Sequence, residues 1–243
     1  MINNGIIVND NKRVEVGIGG KLFTYPAPPP TDNYTPTVNT VAYWPLNADT
    51  KDHTTHGWDL VDNGTAPSIV IGKFGNGITF TGVECLYNNT PIVANGANIT
   101  ICMWLKAVPS PDDYSYVGAF NLGKYNNGFS FGVGGYGSHC RPVGLVNYKA
   151  WLFNASTDFT GGWDNVVYTK DTSNQYSIYL NGIRLVDNAP TSLPNDYDGS
   201  SKTLLGRQEL HAGYNYYGGM CEVIIEDKIW SLTDVQNYYS PRA

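Results

Sequence analysis

The chain has 243 residues, with 27 Gly, 25 Asn, 20 Thr and 18 Tyr against 5 Glu and 13 Ala. Strand and turn formers therefore outweigh helix formers, which excludes a helix bundle, while 42% apolar and 13% aromatic residues suffice for a core and exclude wholesale disorder. Fifteen basic and 21 acidic residues give a net charge of −6 with no Lys/Arg cluster, and no apolar run approaches ~18 residues, so neither a nucleic-acid partner nor membrane insertion is expected.

In chain order, residues 1–25 read as a β arm. GIIVN is a short apolar run, and RVEVGIGGKLFTY alternates Val14, Val16 and Ile18 before Gly19-Gly20 turns the chain back toward Leu22 and Phe23, the pattern of a β-hairpin. Such a peptide cannot bury a core of its own. A solvated tail would not carry Ile6, Ile7, Val8, Val14, Val16 and Ile18, so the arm is expected to dock on the following domain, on another copy of the chain, or on a partner's sheet. Residues 26–39, with Pro26, Pro28, Pro29, Pro30 and Pro36, read as a semi-rigid extended linker. The first residues lack a basic segment followed by an apolar core, so no secretory signal is expected and the cysteines are expected to be reduced.

A single domain is expected over residues 40–243. Short β runs recur there at intervals of roughly ten residues, separated by Gly, Asn and Asp turns. Asn181-Gly182, flanked by YSIYL and IRLV, predicts a type I′ hairpin, because both central residues need positive φ. The one helix predicted is terminal. Ser231 caps it, Asp234 completes a capping box, Leu232, Val235 and Tyr238 or Tyr239 form its apolar face, and Pro241 follows. Many antiparallel strands with one short helix describe an all-β, two-sheet jelly-roll sandwich.

Five segments, in this order, resemble the concanavalin A-like laminin G (LamG) jelly-roll family: AYWPLNADT (42–50), GKFGNGITFTG (72–82), ITICMWLKA (99–107), WDNVVYTKDTSNQYSIYLNGIRL (163–185) and YGGMCEVIIEDKIWSLTDVQNYY (217–239). The match covers about residues 40–240. It departs from the family at Cys221-Glu222, where paired Asp is usual, and at Trp230, where Leu is usual. Residues 1–39 fall outside it and are similar to the N-terminal arms of phage virion proteins.

Three constellations are candidates for chemistry. LamG-like domains often hold Ca²⁺ at a loop edge, and Asp49, Asp52 and Asp59 could supply its oxygen ligands, with a solvated turn as the plain alternative. His53 and His56 lack a third nitrogen or sulfur ligand nearby for a transition metal. Glycosidases that share the jelly roll carry Glu-x-Asp-x-Glu on one strand. Glu222 and Glu226 keep the outer spacing on one face, but Ile224 replaces the middle acid and the segment closes the chain, so no catalytic residue is assigned. Finally, Tyr114, Tyr136, Tyr214 and Tyr216 sit in Gly- and Asn-rich segments, where aromatic faces with polar tips suit sugar rings or protein partners.

The resemblance, the arm and the missing acid together imply a non-enzymatic virion appendage, a phage head-decoration, head-fibre or tail-associated protein. Residues 1–25 would bind capsid or tail proteins, a homo-oligomer (a trimer is favoured) would form, and the LamG-like knob would bind surface glycans or host cells. The expected location is the virion. A free carbohydrate-binding lectin module and a glycoside hydrolase are the alternatives.

Overall fold

A computed structural model describes residues 34–93, 97–109, 116–124, 127–134, 140–146, 150–153, 157–190, 202–207 and 215–243, together with three N-terminal strands. Those strands, β1 (Ile6–Asn9), β2 (Arg13–Ile18) and β3 (Lys21–Pro26), form a three-stranded antiparallel sheet rather than a single hairpin. The register runs Ile6↔Val16 to Asn9↔Arg13 and Arg13↔Pro26 to Ile18↔Lys21, so two residues connect β2 to β3.

The remaining strands build a sandwich of two antiparallel sheets, the fold expected from the strand spacing. The eight-stranded sheet contains β4 (Thr40–Trp44), β6 (Ser68–Ile71), β7 (Asn76–Thr81), β9 (Ile99–Ala107), β14 (Asp164–Lys170), β15 (Gln175–Leu180), β16 (Ile183–Pro190) and β18 (Tyr217–Glu226). Its order is β16-β15-β14-β9-β18-β7-β6, with β4 also paired to β18. The seven-stranded sheet contains β5 (Val61–Asp62), β8 (Leu86–Asn88), β10 (Tyr116–Lys124), β11 (Asn127–Gly134), β12 (Arg141–Val146), β13 (Ala150–Phe153) and β17 (Thr203–Leu205), in the order β13-β12-β11-β10-β17-β8-β5.

Strand β9 explains why its middle, Ile101-Cys102-Met103-Trp104-Leu105, is an unbroken apolar run. Ile99, Ile101, Met103, Leu105 and Ala107 point into the core between the sheets. Cys102 and Trp104 point the other way, into a second apolar layer. A strand buried on both faces loses the polar alternation of a half-exposed one. The second layer is roofed by the C-terminal helix α1 (Leu232–Tyr239), whose Val235 and Tyr238 are buried against it.

Local signals behave as their chemistry requires. At the β15–β16 turn, Asn181 and Gly182 have φ of 51° and 76°, and Leu180 pairs with Ile183. Ser231 Oγ accepts from Asp234 N–H at 3.1 Å while the Asp234 carboxylate accepts from Ser231 N–H at 2.8 Å, a complete capping box. Ser231→Ala removes one half of it, and urea denaturation is expected to show a loss of about 1 kcal/mol. All four cysteines, Cys85, Cys102, Cys140 and Cys221, are buried, and burial pushes the thiols of Cys102, Cys140 and Cys221 up in pKa.

Candidate functional site

The aspartate loop is a scaffold. The Asp52 carboxylate accepts from Tyr43 N–H (3.0 Å), Thr54 N–H (3.0 Å), Thr54 Oγ1 (2.7 Å) and Trp58 N–H (2.9 Å). Asp59 accepts from Lys51 Nζ (2.6 Å) and Asp52 N–H (2.9 Å), and Asp49 accepts from Lys51 N–H (3.0 Å). Lys51 holds the Asp59 carboxyl below its ordinary range. Oxygens turned toward N–H and O–H donors are not presented to a cation. Among the described residues no group of three or more His, Cys, Asp or Glu side chains is arranged to hold a metal. Asp49, Asp52 and Asp59, as placed, therefore do not fit a shared Ca²⁺: the spacing that suggests a metal loop also suits a loop closed by its own backbone.

Tyr114, Tyr136 and Tyr214 lie outside the described residues. Tyr216 is 0% exposed. Its ring packs edge-on against Phe80 and its hydroxyl donates to Gly219 O at 2.9 Å, so it belongs to the core rather than to a contact surface. In sequence it lies in the aromatic segment 211–217. Asn215 forms an antiparallel bridge with Arg207, and the side chain of the next residue, Tyr216, turns inward.

Glu222 and Glu226 share a face as alternation predicts, but that face looks into the layer beneath α1. They are 2% and 3% exposed. A β-bulge sets them there: Cys221 pairs with Trp104 and Ile224 with Cys102, so β18 carries one extra residue, and Glu222 has φ of 50°. Glu222 accepts from Tyr43 OH (3.1 Å), Tyr238 OH (2.7 Å) and Tyr34 N–H (3.2 Å). Glu226 accepts from the Tyr34 hydroxyl, from Trp230 Nε1 and, at 3.2 Å, from Thr37 Oγ1. The carboxylates thus clasp the incoming chain. Tyr34 and Thr37, read from sequence as linker, pack onto the domain ahead of the expected boundary at residue 40. Two carboxylates enclosed by hydroxyls and an indole are structural, and they do not form a cleft-facing acid pair.

The opposite side of the sandwich carries an open groove. On the seven-stranded sheet Phe120, Leu122 and Leu205 face the core. Their neighbours Asn121 and Leu204 therefore lie on the sheet's other face, as alternation along each strand requires, and there too they are buried, at 3% and 5% exposed. Register aligns an outward row: Ser130↔Asn121, Asn121↔Leu204, Leu204↔Tyr87 and Tyr87↔Val61. Two residues along each strand, the same face carries Lys202, Cys85 and Asn63. With Arg207 these residues line a groove of about 320 Å³: Asn63, Cys85, Tyr87, Lys202, Leu204 and Arg207. Asn63 is committed to its frame, since Asn63 Oδ1 accepts from Cys85 N–H (3.2 Å) and Asn63 N–H donates to Cys85 O (3.1 Å). Lys202 Nζ stands 5.0 Å from the Tyr87 ring centroid. Sequence reasoning missed Tyr87, Lys202 and Arg207. Period 2 through the short strands β8 and β17 hinted at Tyr87 and Lys202 but not at Arg207, and the meeting of Tyr87 with Lys202 depends on pairing between segments more than a hundred residues apart.

No curated protein matches the sequence. The architecture is shared with solved structures at low identity. Domain 4 of AbnA, a GH43 extracellular arabinanase from Geobacillus stearothermophilus solved with arabinotriose, superposes with a TM-score of 0.67 at 14% identity, covering 83% of this chain and 98% of that one. The binding domain of Paraclostridial Mosquitocidal Protein 1 gives 0.60 at 14% identity over 84% of this chain. A botulinum neurotoxin type C structure, whose cell entry depends on two ganglioside molecules, gives 0.62 at 14% identity over 84% of this chain. The present chain spans only 52% of each of those two toxin chains. At such identities the likeness concerns the fold. The sequence profile of the concanavalin A-like lectin/glucanases superfamily, in its laminin G form, matches residues 80–236, more than half of the chain, and the protein belongs to that superfamily.

Proposed function

We propose that the protein is a non-enzymatic saccharide-binding knob carried on an attachment arm, serving as a virion appendage such as a phage head decoration, head fibre or tail-associated protein. The observation that carries the binding part is the outward groove of the seven-stranded sheet. It joins an aromatic ring, an apolar floor and cationic donors in about 320 Å³, the mixture that saccharide and small-ligand sites use. The reading without catalysis is supported by Glu222 and Glu226, whose oxygens are engaged by Tyr34, Tyr43, Tyr238 and Trp230. The attachment part is supported by the separate three-stranded sheet of β1, β2 and β3 and the proline-rich stretch behind it. Binding is passive, and weak single sites gain avidity from repeated copies on a particle.

A glycan array followed by calorimetry on the strongest glycan tests the knob. Tyr87→Ala is expected to weaken that glycan roughly tenfold by removing the stacking surface. A blank array, or an affinity indifferent to Tyr87→Ala, overturns the site. Light scattering on the full chain and on residues 34–243 tests the arm. A trimer that falls to monomer on deletion is expected, and a full chain that is already monomeric overturns the oligomeric appendage.

A further inference from the structure

The groove differs in charge from its surroundings. Of its six lining residues Lys202 and Arg207 are cationic and none is acidic, in a chain of net charge −6. The larger cavity of about 480 Å³ beside β5 and β6 is lined by Asp49 and Asp62 and by no cation. Among the described residues neither Lys202 nor Arg207 joins an ion pair. The Lys202 ammonium is steadied over Tyr87 by a cation–π contact at 5.0 Å, which orients the group without satisfying its N–H donors.

Arg207 adds an independent observation. Its Nε is buried and meets no acceptor among the described residues. Leaving a buried donor unmet costs about 1–3 kcal/mol, more when the group is charged. An anionic oxygen in the groove would offset that cost with a charge-assisted hydrogen bond, to which the planar guanidinium fork is suited. Beside the two cations lie the Tyr87 ring and the Leu204 side chain, an apolar and aromatic floor of the kind on which a pyranose ring stacks. A simple anion would leave that floor unused, and a neutral sugar would leave both cations unmatched.

We infer that the groove binds an acidic saccharide, with the sugar ring against Tyr87 and its carboxylate or sulfate taken by Lys202 and Arg207. The inference rests on the saccharide-binding reading above and adds the charge of the ligand. It places discrimination against neutral sugars in two side chains, since unmatched cations penalise the wrong ligand as much as matched ones favour the right one.

Calorimetry on the full chain with three probes tests it: trigalacturonate, its fully methyl-esterified form, and a heparin-derived hexasaccharide. At least one acidic probe is expected to bind about tenfold or more tighter than the ester, the scale of one charge-assisted hydrogen bond, and to weaken as salt is raised. Binding of trigalacturonate alone identifies a carboxylate, and binding of the hexasaccharide alone a sulfate. Lys202→Gln and Arg207→Gln are each expected to cost the acidic probe about tenfold while leaving the ester unchanged. Should Arg207→Gln fail to fold, Lys202→Gln, whose side chain is half-exposed, carries the comparison. If the ester binds as tightly as the acids and is sensitive to Tyr87→Ala alone, the charge inference falls and the saccharide site stands. If none of the three probes binds, the charge inference falls, and a blank neutral array beside it removes the site as well.

Discussion

Glu222→Ala is expected to lower the free energy of unfolding by about 3–5 kcal/mol, because it strands three donors at once. Tyr43 OH, Tyr238 OH and Tyr34 N–H all converge on this carboxylate, and their surroundings are the apolar layer of Trp104, Ile224 and Val235. Water cannot replace the lost acceptor without opening the layer, so the roof, α1, is expected to loosen along with the clasp on Tyr34. Urea denaturation gives the magnitude. A loss under 1 kcal/mol would mean that the tyrosines find other partners and that the carboxylate does not organise this layer.

Glu222→Gln separates charge from hydrogen bonding through its pH dependence. Burial pushes the Glu222 carboxyl above its ordinary 4.5, against hydrogen bonds from Tyr238, Tyr34 and Tyr43 that pull it down. A raised folded-state value means the folded protein binds the proton more tightly than the unfolded chain. Stability from this group is therefore fully present below the unfolded value near 4.5 and is lost as pH rises through the raised folded value. Glutamine mimics the protonated form and lacks this dependence. The melting temperature of Glu222→Gln relative to the native protein is expected to climb as pH rises through that window and then level off. A difference that falls as pH rises would show that the hydrogen bonds outweigh burial.

Gly206→Ala is expected to cost about 3 kcal/mol, combining a left-handed backbone penalty of about 1–2 with overpacking of about 1–3. Gly206 has φ of 83°, and a Cβ there would stand 2.2 Å from the Phe80 ring. The residue also stitches the groove rim to the sandwich: Gly206 N–H donates to Ala119 O at 2.8 Å and Gly206 O accepts from Tyr216 N–H at 2.9 Å. Gly57 is the internal comparison, with φ of 69° and nothing within 4 Å of an added Cβ. Gly57→Ala then carries the backbone penalty alone, about 1–2 kcal/mol. Equal losses for the two variants would remove the steric part of the argument.

The parts of this protein legible in its sequence are those whose physics is local or periodic. The Asn181-Gly182 turn needs two positive φ angles and shows them. Ser231 and Asp234 form their capping box within three residues. The recurring strand segments led to a two-sheet jelly roll because period 2 and turn chemistry act along the chain. Wherever a residue's role depends on which face it meets, the sequence left more than one outcome open. Asp49, Asp52 and Asp59 have spacing that fits either a metal or a backbone-closed loop, and only the fold shows the Asp52 carboxylate taken up by the N–H groups of Tyr43, Thr54 and Trp58. Tyr216 sits in an aromatic, Gly- and Asn-rich stretch of the sequence, yet it fills the core against Phe80. The pairing of β8 with β17 brings Tyr87 to Lys202 across more than a hundred residues. Local pattern is enough to specify the class of fold, its turns and its caps. Tertiary structure alone decided that the conspicuous carboxylates lie inside and that two inconspicuous cations share a groove with an aromatic ring, because strand pairing and burial are set by non-local contacts that no single segment encodes.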